Sequence, residues 1–595
     1  MSENAAQQIG QPRGGRIHSL LPAAIFALAA FCAVFPLVLH GVSCGHDFDF
    51  HLLNWMEAAS QWQHGLVKPV WALTPAFNAG EPRLLMYPPL SWITGAALEL
   101  LLPWSAVPAA FTALVLFLCG LTMHRLLRRW TAPSLAVFGG CLYMVNPYML
   151  FVAYERTAYG ELLAAAWMPL LLAAMLRTRL TAPRVAAVVA LLWLSNAPAA
   201  VIGCYSILLL GVGRLLLMRG EGLRGRLRMA MTVSSGVLLG LLVDAFYLIP
   251  MGWERRFVQL ELAVVPLARP DRNFLFAQDP DAFHTHVLMQ ASWIGVATCT
   301  IALVCGAILL FLQRRTTAPV HAYRSMHMRD AQTGGAFTDP AACAVLLGFS
   351  VVVLFLLSRW SAAVWHMGPE LVFLQFPWRF LVAESAVAAA LLTLLLQRSF
   401  QRFSSRILIP VALVIALLAG YFAGGRYFRE SCEVEESVQA QRGHFLNEEG
   451  VKPTDEYTPV IADNDALQAH LPAAWMAIGV EDEPGHHPDV PRLDRTQPED
   501  LHFAVQAAIR PSFLIVRLRQ FPGWHTLRDG VEIQPRTRPD GLIAVPLSPG
   551  APHVVEVLYR TTTDQWAGLG VTGMALLACG IAAGRRRSGI MRPSA

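Results

Sequence analysis

The chain reads as a polytopic α-helical membrane protein of about twelve transmembrane helices, with a small extramembrane β-rich domain before the last helix. Three observations predict this. Of 595 residues, 55% are hydrophobic and only 15% charged, against ~25% charged in soluble domains, and the mean hydropathy is +0.45. Apolar runs suited to a ~30 Å hydrocarbon core recur near 19–40, 105–124, 133–150, 160–176, 184–195, 198–213, 230–250, 291–312, 341–357, 379–397, 406–424 and 566–584. Between about 425 and 565 the pattern changes to acidic, proline-rich stretches followed by short alternating segments.

Taken in order, residues 1–18 form a polar tail, expected to be cytoplasmic, that leads into the first apolar run. That run is longer than a signal-peptide core, so an uncleaved first span is expected. Ser195-Asn196-Ala197-Pro198 separates two apolar runs as a tight helical hairpin, its proline opening the second helix. The segment 88–103 is apolar but holds only about fourteen residues between prolines, and it contains Glu99.

The arginines decide whether that segment crosses, because cytoplasmic loops collect Lys and Arg. If 88–103 does not cross, the clusters at Arg125, Arg128 and Arg129, at Arg177, Arg179 and Arg184, and at Arg214 to Arg228 share one side with Arg398, Arg402 and Arg406. The basic tail 585–595 joins them. The segment therefore reads as an interfacial or re-entrant helix, with both termini cytoplasmic. The net charge of +5 comes mostly from these clusters, which report orientation and not nucleic-acid binding. The ten cysteines show no CxxC or Cys/His metal spacing. Only Cys44 and Cys432 fall outside the apolar runs; an oxidising compartment would allow them to pair, and the expectation is that both are unpaired.

This topology gathers unusual polar residues on the outer face. The first outer loop, 41–104, opens with Gly45-His46-Asp47-Phe48-Asp49-Phe50-His51 and goes on to Glu81, Arg83 and Tyr87. Charge this close to a bilayer is costly and so marks function. Two acids one residue apart are candidates to hold a divalent metal with its phosphate ligand, or to supply a general base; the plain alternative is acids that end a helix in water. The next outer turn is Tyr154-Glu155-Arg156-Thr157-Ala158-Tyr159-Gly160-Glu161, and a later one holds Glu370 and Phe376-Pro377-Trp378-Arg379-Phe380. Glu161 opens an apolar run, where a partner such as Arg156 is expected. Trp378 and Arg379 also fit a membrane-interface anchor.

In the outer domain, Leu514 to Arg519, Phe521 to Thr526, Leu542 to Leu547 and His553 to Tyr559 read as antiparallel strands, with a turn at Arg528-Asp529-Gly530. The arrangement expected is a sandwich. His486-His487 lies in an acidic stretch and reads as solvated loop.

One helix, an outer loop opening with Asp-x-Asp, an interfacial helix, the Tyr87-Pro88-Pro89-Leu90-Ser91 segment and a second helix with a basic turn together resemble the GT-C superfamily of membrane glycosyltransferases. Tyr154 to Glu161, Phe376 to Phe380 and Pro522-Gly523-Trp524 with Asp529-Gly530 resemble, more narrowly, the bacterial 6-pyruvoyl-tetrahydropterin-synthase-related integral membrane proteins; no pterin chemistry is visible. The resemblance implies a GT-C fold in a bacterial cytoplasmic membrane with its site facing the exterior. It implies a polyprenyl-phosphate sugar donor, a lipid, glycan or protein acceptor, and Asp47 or Asp49 as base or as ligand of a divalent ion, Mg or Mn. Arg156 and Arg379 would pair the donor phosphate, with His51, Tyr87, Glu155, Glu161 and Trp378 completing the substrate site. A transporter or flippase of polyprenyl-linked sugars and a catalytically inactive scaffold are the alternatives; a transporter should carry charge at mid-membrane depth, where Asp244 is the candidate.

Overall fold

A computed structural model describes residues 14–218, 222–315, 340–399, 405–427, 437–447, 449–485 and 489–590. Every apolar run named above is helical there. Among the described residues, nine helices are long and apolar enough to cross a membrane, from Leu20–His40 to Arg406–Arg426. Two further apolar helical segments, Tyr159–Met175 and Ala182–Ser195, are shorter, the first because it breaks between Ala165 and Met168 ahead of Pro169. The helix Thr563–Ile590 closes the chain.

The 88–103 segment forms the helix Pro89–Glu99. Eleven residues at 1.5 Å each span roughly 16 Å, about half a bilayer core. It packs on the helix Phe48–Gln63 so closely that a Cβ on Gly95 would lie 2.2 Å from the Trp55 ring. The hairpin at 195–198 is present: Asn196 is extended, and its side chain accepts the Ala199 amide at 3.0 Å to cap the helix Ala197–Leu217. Gly236 and Gly240 bring the helix Leu223–Val243 onto Ala182–Ser195, where added Cβ atoms would meet Val185 and Val189 at 2.6 and 2.7 Å. Small residues four apart let helix backbones approach where no hydrophobic force drives association.

The bundle has two distinct ends. Helices that begin at the Asp47 end finish at Arg129 and Arg214, whose guanidiniums bond the Ala173 and Arg177 carbonyls at 2.9 and 2.8 Å. The sandwich sits at the other end. Its first sheet has the order β1-β4-β8-β7, from β1 (Ala474–Ala477), β4 (Ser512–Arg519), β7 (Arg536–Thr537) and β8 (Leu542–Leu547). Its second runs β2-β3-β9-β5-β6, from β2 (Arg492–Gln497), β3 (Asp500–Val505), β5 (Trp524–Arg528), β6 (Val531–Ile533) and β9 (His553–Tyr559). All neighbours pair antiparallel. Strands β1 and β2 fall in the stretch that reads from sequence as acidic and proline-rich, and β3 opens the alternating stretch that follows it.

The loop between Gln63 and Pro89 is built into the sandwich. Trp71, Leu85 and Met86 share one apolar core with Phe503, Leu514, Val545 and Val557. Buried Glu81 takes Arg83 Nε at 2.7 Å and the Thr454 amide at 2.8 Å, with Arg519 at 4.0 Å. On the helix side, Glu57 accepts the Thr74 amide at 2.5 Å, and Gln61 donates to Glu57 and to the Trp71 carbonyl at 3.1 and 2.7 Å.

The expectation that Cys44 is unpaired fails: Cys44 is disulfide-bonded. The loop around it does lie outside the apolar runs, but the thiol is not free there. Cys432 lies outside the described residues, as do His486 and His487.

One buried and one half-buried acid at the sandwich junction generate a pH dependence. Glu254 accepts from Thr562 and Gln565 at 3.0 and 3.1 Å, and burial lifts its carboxyl from 4.5 to about 7. Burial also lifts Glu499 from 4.5 to about 7. Between those values the folded chain holds protons that the unfolded chain has released, so these groups make stability fall as pH rises through that window. The double substitution Glu254→Gln, Glu499→Gln should flatten the fall. Unfolding temperatures in detergent between about pH 5 and pH 8 check this, and equal slopes for both proteins would contradict it.

Candidate active site

The helix Pro133–Met144 continues through Pro147–Leu150 into a π-helical turn, Phe151–Arg156. The sequence reads Tyr154 to Glu161 as an outer turn; the structure instead winds its first half into the end of the helix and stops at Thr157, which is left-handed with φ 47°. Wide turns of this kind concentrate at functional sites. The helix Tyr159–Ala165 follows at once, so Arg156 and Glu161 meet across the break.

They pair at 2.6 Å, as their sequence positions suggest, with Arg156 and Glu161 side chains only 3% and 4% exposed. Glu161 also accepts the Tyr148 hydroxyl and faces Arg379 Nε at 3.5 Å. Arg379 donates to the Leu374 carbonyl and to Gln375, both at 3.0 Å. The Arg156 guanidinium lies 4.9 Å over the Trp378 ring, and Arg379 lies 5.0 Å over Phe376. Trp378 and Arg379 are buried, inside the bundle and not at a lipid-facing edge.

Asp47 is brought to this group by backbone. Gly45 rests on the π-turn so tightly that a Cβ would sit 2.3 Å from the Glu155 carbonyl oxygen. The Asp47 amide donates to the Arg156 carbonyl at 3.0 Å. The Asp47 carboxylate then stands 3.5 Å from Arg156, 40% exposed where the arginine is 3%. A cavity of about 240 Å³ opens there, lined by His46, Asp47, Arg156, Asn273, His284, Phe376, Trp378 and Arg379 among others.

Asp49 goes elsewhere. Asp47 immediately precedes the helix Phe48–Gln63, without a side-chain capping bond, and Asp49 lies in its first turn; residues two apart on a helix do not face each other. Asp49 lines a second cavity of about 520 Å³ beside His444, Lys452 and His470, which shares no lining residue with the first. A divalent ion held jointly by the two acids does not match this geometry. Among the described residues no three His, Cys, Asp or Glu side chains are grouped to hold a metal, and an ion at Asp47 would face two guanidiniums.

Behind Asp47 stands an aromatic wall. The His51 ring meets Tyr87 and Tyr159 edge-on, each at 5.5 Å, and Phe50 meets Tyr87 at 5.0 Å. Burial pushes His51 down to about 4, so it is neutral at neutral pH. Burial raises the Tyr87 hydroxyl, and Asp47 adds to that. Glu155 contributes its backbone to the Gly45 contact and does not line the cavity.

Several lining residues, His46, Asn273, His284 and Gln375 among them, are not among the site residues the sequence singles out. His46 adjoins Asp47, and its ring is held low by burial and by the nearby Arg156 charge. Asn273 donates its amide to the Leu267 and Arg269 carbonyls at 2.7 and 2.8 Å, which leaves its oxygen to accept from His284 Nε2 at 2.8 Å. Asn273 comes from the stretch between two spans, and His284 from the first turn of the helix Ala282–Arg315, ahead of the apolar run at 291–312, so hydropathy marks neither; proximity to Asp47 was the available cue for His46.

No protein-family model matches the chain, and no curated protein matches it. Solved structures of the arabinofuranosyltransferase AftD from mycobacteria are similar to it in part. One has 13% identity and a TM-score of 0.38, over 70% of this chain and 27% of that one. A mutant form of the same enzyme has 11% identity and a TM-score of 0.40, over 93% of this chain and 60% of the other. The chain thus spans less than two thirds of either structure's length. At these scores the likeness decides nothing about function, which rests on the cavity itself.

Removing the carboxylate charge of Glu161 should leave two buried guanidiniums without their shared anion. Breaking a buried pair in this way costs about 3–5 kcal/mol. Glu161→Gln is therefore expected to lower stability by that order in denaturant unfolding of the detergent-solubilised protein, and a loss below ~1 kcal/mol would mean the pair does not clamp the fold.

Proposed function

We propose that the chain is a GT-C type membrane glycosyltransferase, moving a sugar from a polyprenyl-phosphate carrier to an acceptor hydroxyl at the end of the bundle that carries the sandwich, on the outer face of a bacterial cytoplasmic membrane. The observation that carries the reading is one partly exposed carboxylate, Asp47, set 3.5 Å from a buried arginine at the mouth of a cavity that a second arginine also lines.

The chemistry follows from those groups. A lipid phosphate entering the cavity would meet Arg156 and Arg379, whose planar guanidiniums offer fork-shaped donors to phosphate oxygens. The Asp47–Arg156 contact is long, so a phosphate oxygen competes for the guanidinium while the carboxylate stays available. The acceptor oxygen attacks C1, its proton passes to Asp47, and the C1–O bond to phosphate breaks with the electron pair leaving on the phosphate. The arginines balance the charge that develops there. One base and one displacement imply inversion at the anomeric carbon. His51 and Tyr87, both un-ionised, would form the wall against which the sugar is oriented, with Trp378 holding Arg156 in place.

Asp47→Asn keeps size and removes the base, so turnover should fall about 10²–10⁴-fold with the fold intact. Arg379→Ala should mainly raise the donor concentration needed, because it removes phosphate pairing and not proton transfer. Purified protein supplied with polyprenyl-phosphate sugars, with donor hydrolysis and acceptor glycosylation followed for each variant, checks both. Full activity in Asp47→Asn would sink the assignment.

A further inference from the structure

The larger cavity, about 520 Å³, lies between the start of the helix Phe48–Gln63 and the segment 441–470, and the transfer chemistry above makes no use of it. Resting on the proposed transfer at Asp47, we infer that this cavity is the acceptor site of the same enzyme and that it binds a hydroxyl-rich glycan chain.

Its lining is mixed in the way a sugar ring requires. Asp49, Lys452 and His470 offer charge and hydrogen bonds, while the half-buried rings of Phe50 and Phe77 offer flat apolar faces. Lys452 and His470 have no ion-pair partner among the described residues. A lipid tail would need a continuous apolar wall, which these charged groups interrupt. Free hydroxyls, by contrast, both donate to the carboxylate and accept from the ammonium and imidazole.

The wall at Phe77 is held in an uncommon backbone conformation. Ala76, Phe77 and Asn78 are consecutive left-handed residues, with φ of 54°, 50° and 67°. Non-glycine residues rarely adopt this region, and such strained positions cluster at ligand-binding sites. The conformation is fixed from outside: Phe77 N donates to the Val451 carbonyl at 2.9 Å, and Val451 N to the Thr74 carbonyl at 3.1 Å. Gly450 presses so close that a Cβ would meet Phe77 backbone at 2.7 Å. The Phe77 ring is thus presented by a braced turn.

Position completes the argument. Asp49 lies two residues from Asp47, across the first turn of one helix. The two side chains turn apart, so a glycan seated beside Asp49 would pass round the helix start to bring its end hydroxyl to Asp47, which would receive the proton.

Binding is measurable without turnover. Full-length protein in lipid nanodiscs would be titrated with fluorescently labelled arabinan, galactan, mannan and glucan hexasaccharides. At least one should bind, Lys452→Glu with His470→Ala should weaken it about tenfold or more, and Asp47→Asn should bind as the unaltered protein does. Both substituted side chains are exposed, so folding is not at stake; Asp49→Asn, which keeps the side-chain volume, should weaken binding in the same direction. Donor hydrolysis without glycan should be unchanged in the Lys452, His470 variant. Binding of none of the four, or equal binding by the variant, would overturn the acceptor site. Glycan binding with full turnover in Asp47→Asn would instead overturn the transfer reading and leave the glycan site standing.

Discussion

The buried contact between Arg156 and Glu161, at 2.6 Å, sets the geometry of everything around it. Neither charge tolerates burial alone, so each fixes the other's position. The pair joins the end of one long helix to the start of the next, and Arg379 reaches the same carboxylate from the helix that begins at Pro377. Two consecutive helices and a third far away in sequence are thereby pinned at one point. The π-turn that ends at Arg156 also presents the backbone carbonyl that holds Asp47. The acid at the cavity mouth is therefore placed by the same turn that places its cation.

A second constraint ties this cavity to the sandwich. The chain between Gln63 and Pro89 is fixed to the helix side through Glu57 and Gln61, and to the sandwich side through Glu81. Trp71 then lies within the apolar core of the sandwich itself. Displacing the sandwich would expose that core and strand a buried carboxylate, so the loop acts as a strut between the two parts. The Asp49 cavity is enclosed between the strut, the helix start and the segment 441–470, and its shape depends on the docking.

Hydropathy made the spans legible because lipid and packing both select apolar side chains over twenty residues or so. The hairpin at Asn196 was legible from its capping chemistry, and strands β4, β5, β8 and β9 from their alternation. The pairing of Glu161 with Arg156 followed from the cost of an acid in an apolar run. Other features have no such signature. A π-turn differs from an α-turn in hydrogen-bond register, which residue types at 151–156 do not encode. Asp47 and Asp49 look equivalent as a motif until the helix start between them is known, and that start then turns their side chains apart. Strands β1 and β2 lie in an acidic, proline-rich stretch that carries little strand signal, whereas β3 keeps a plain alternation at Leu501, Phe503 and Val505. The cavity lining from Asn273 and His284 depends on tertiary contact alone, and the bonded state of Cys44 on a partner that sequence does not locate.

The distribution of buried charge also bears on transport as against transfer. Glu384 is fully buried among helices and escapes a reading that singles out Asp244. It lies in the first turn of Leu381–Ser399, one turn beyond Arg379. Asp244 follows the last residue of Leu223–Val243, beside Tyr247, whose hydroxyl donates to the Met86 carbonyl in the strut. Asp244 thus belongs to the end of the bundle that holds Asp47, while Glu384 sits deeper, beside Ser350 and Cys299 inside their helices, and Arg129 and Arg214 mark the opposite end. A carrier that passes a charged headgroup across the bilayer needs polar groups at successive depths. Asp47, Arg156 and Arg379 gather beside one cavity at the end that carries the sandwich, which suits the proposed reaction, whose donor arrives laterally in that leaflet and whose acceptor comes from water.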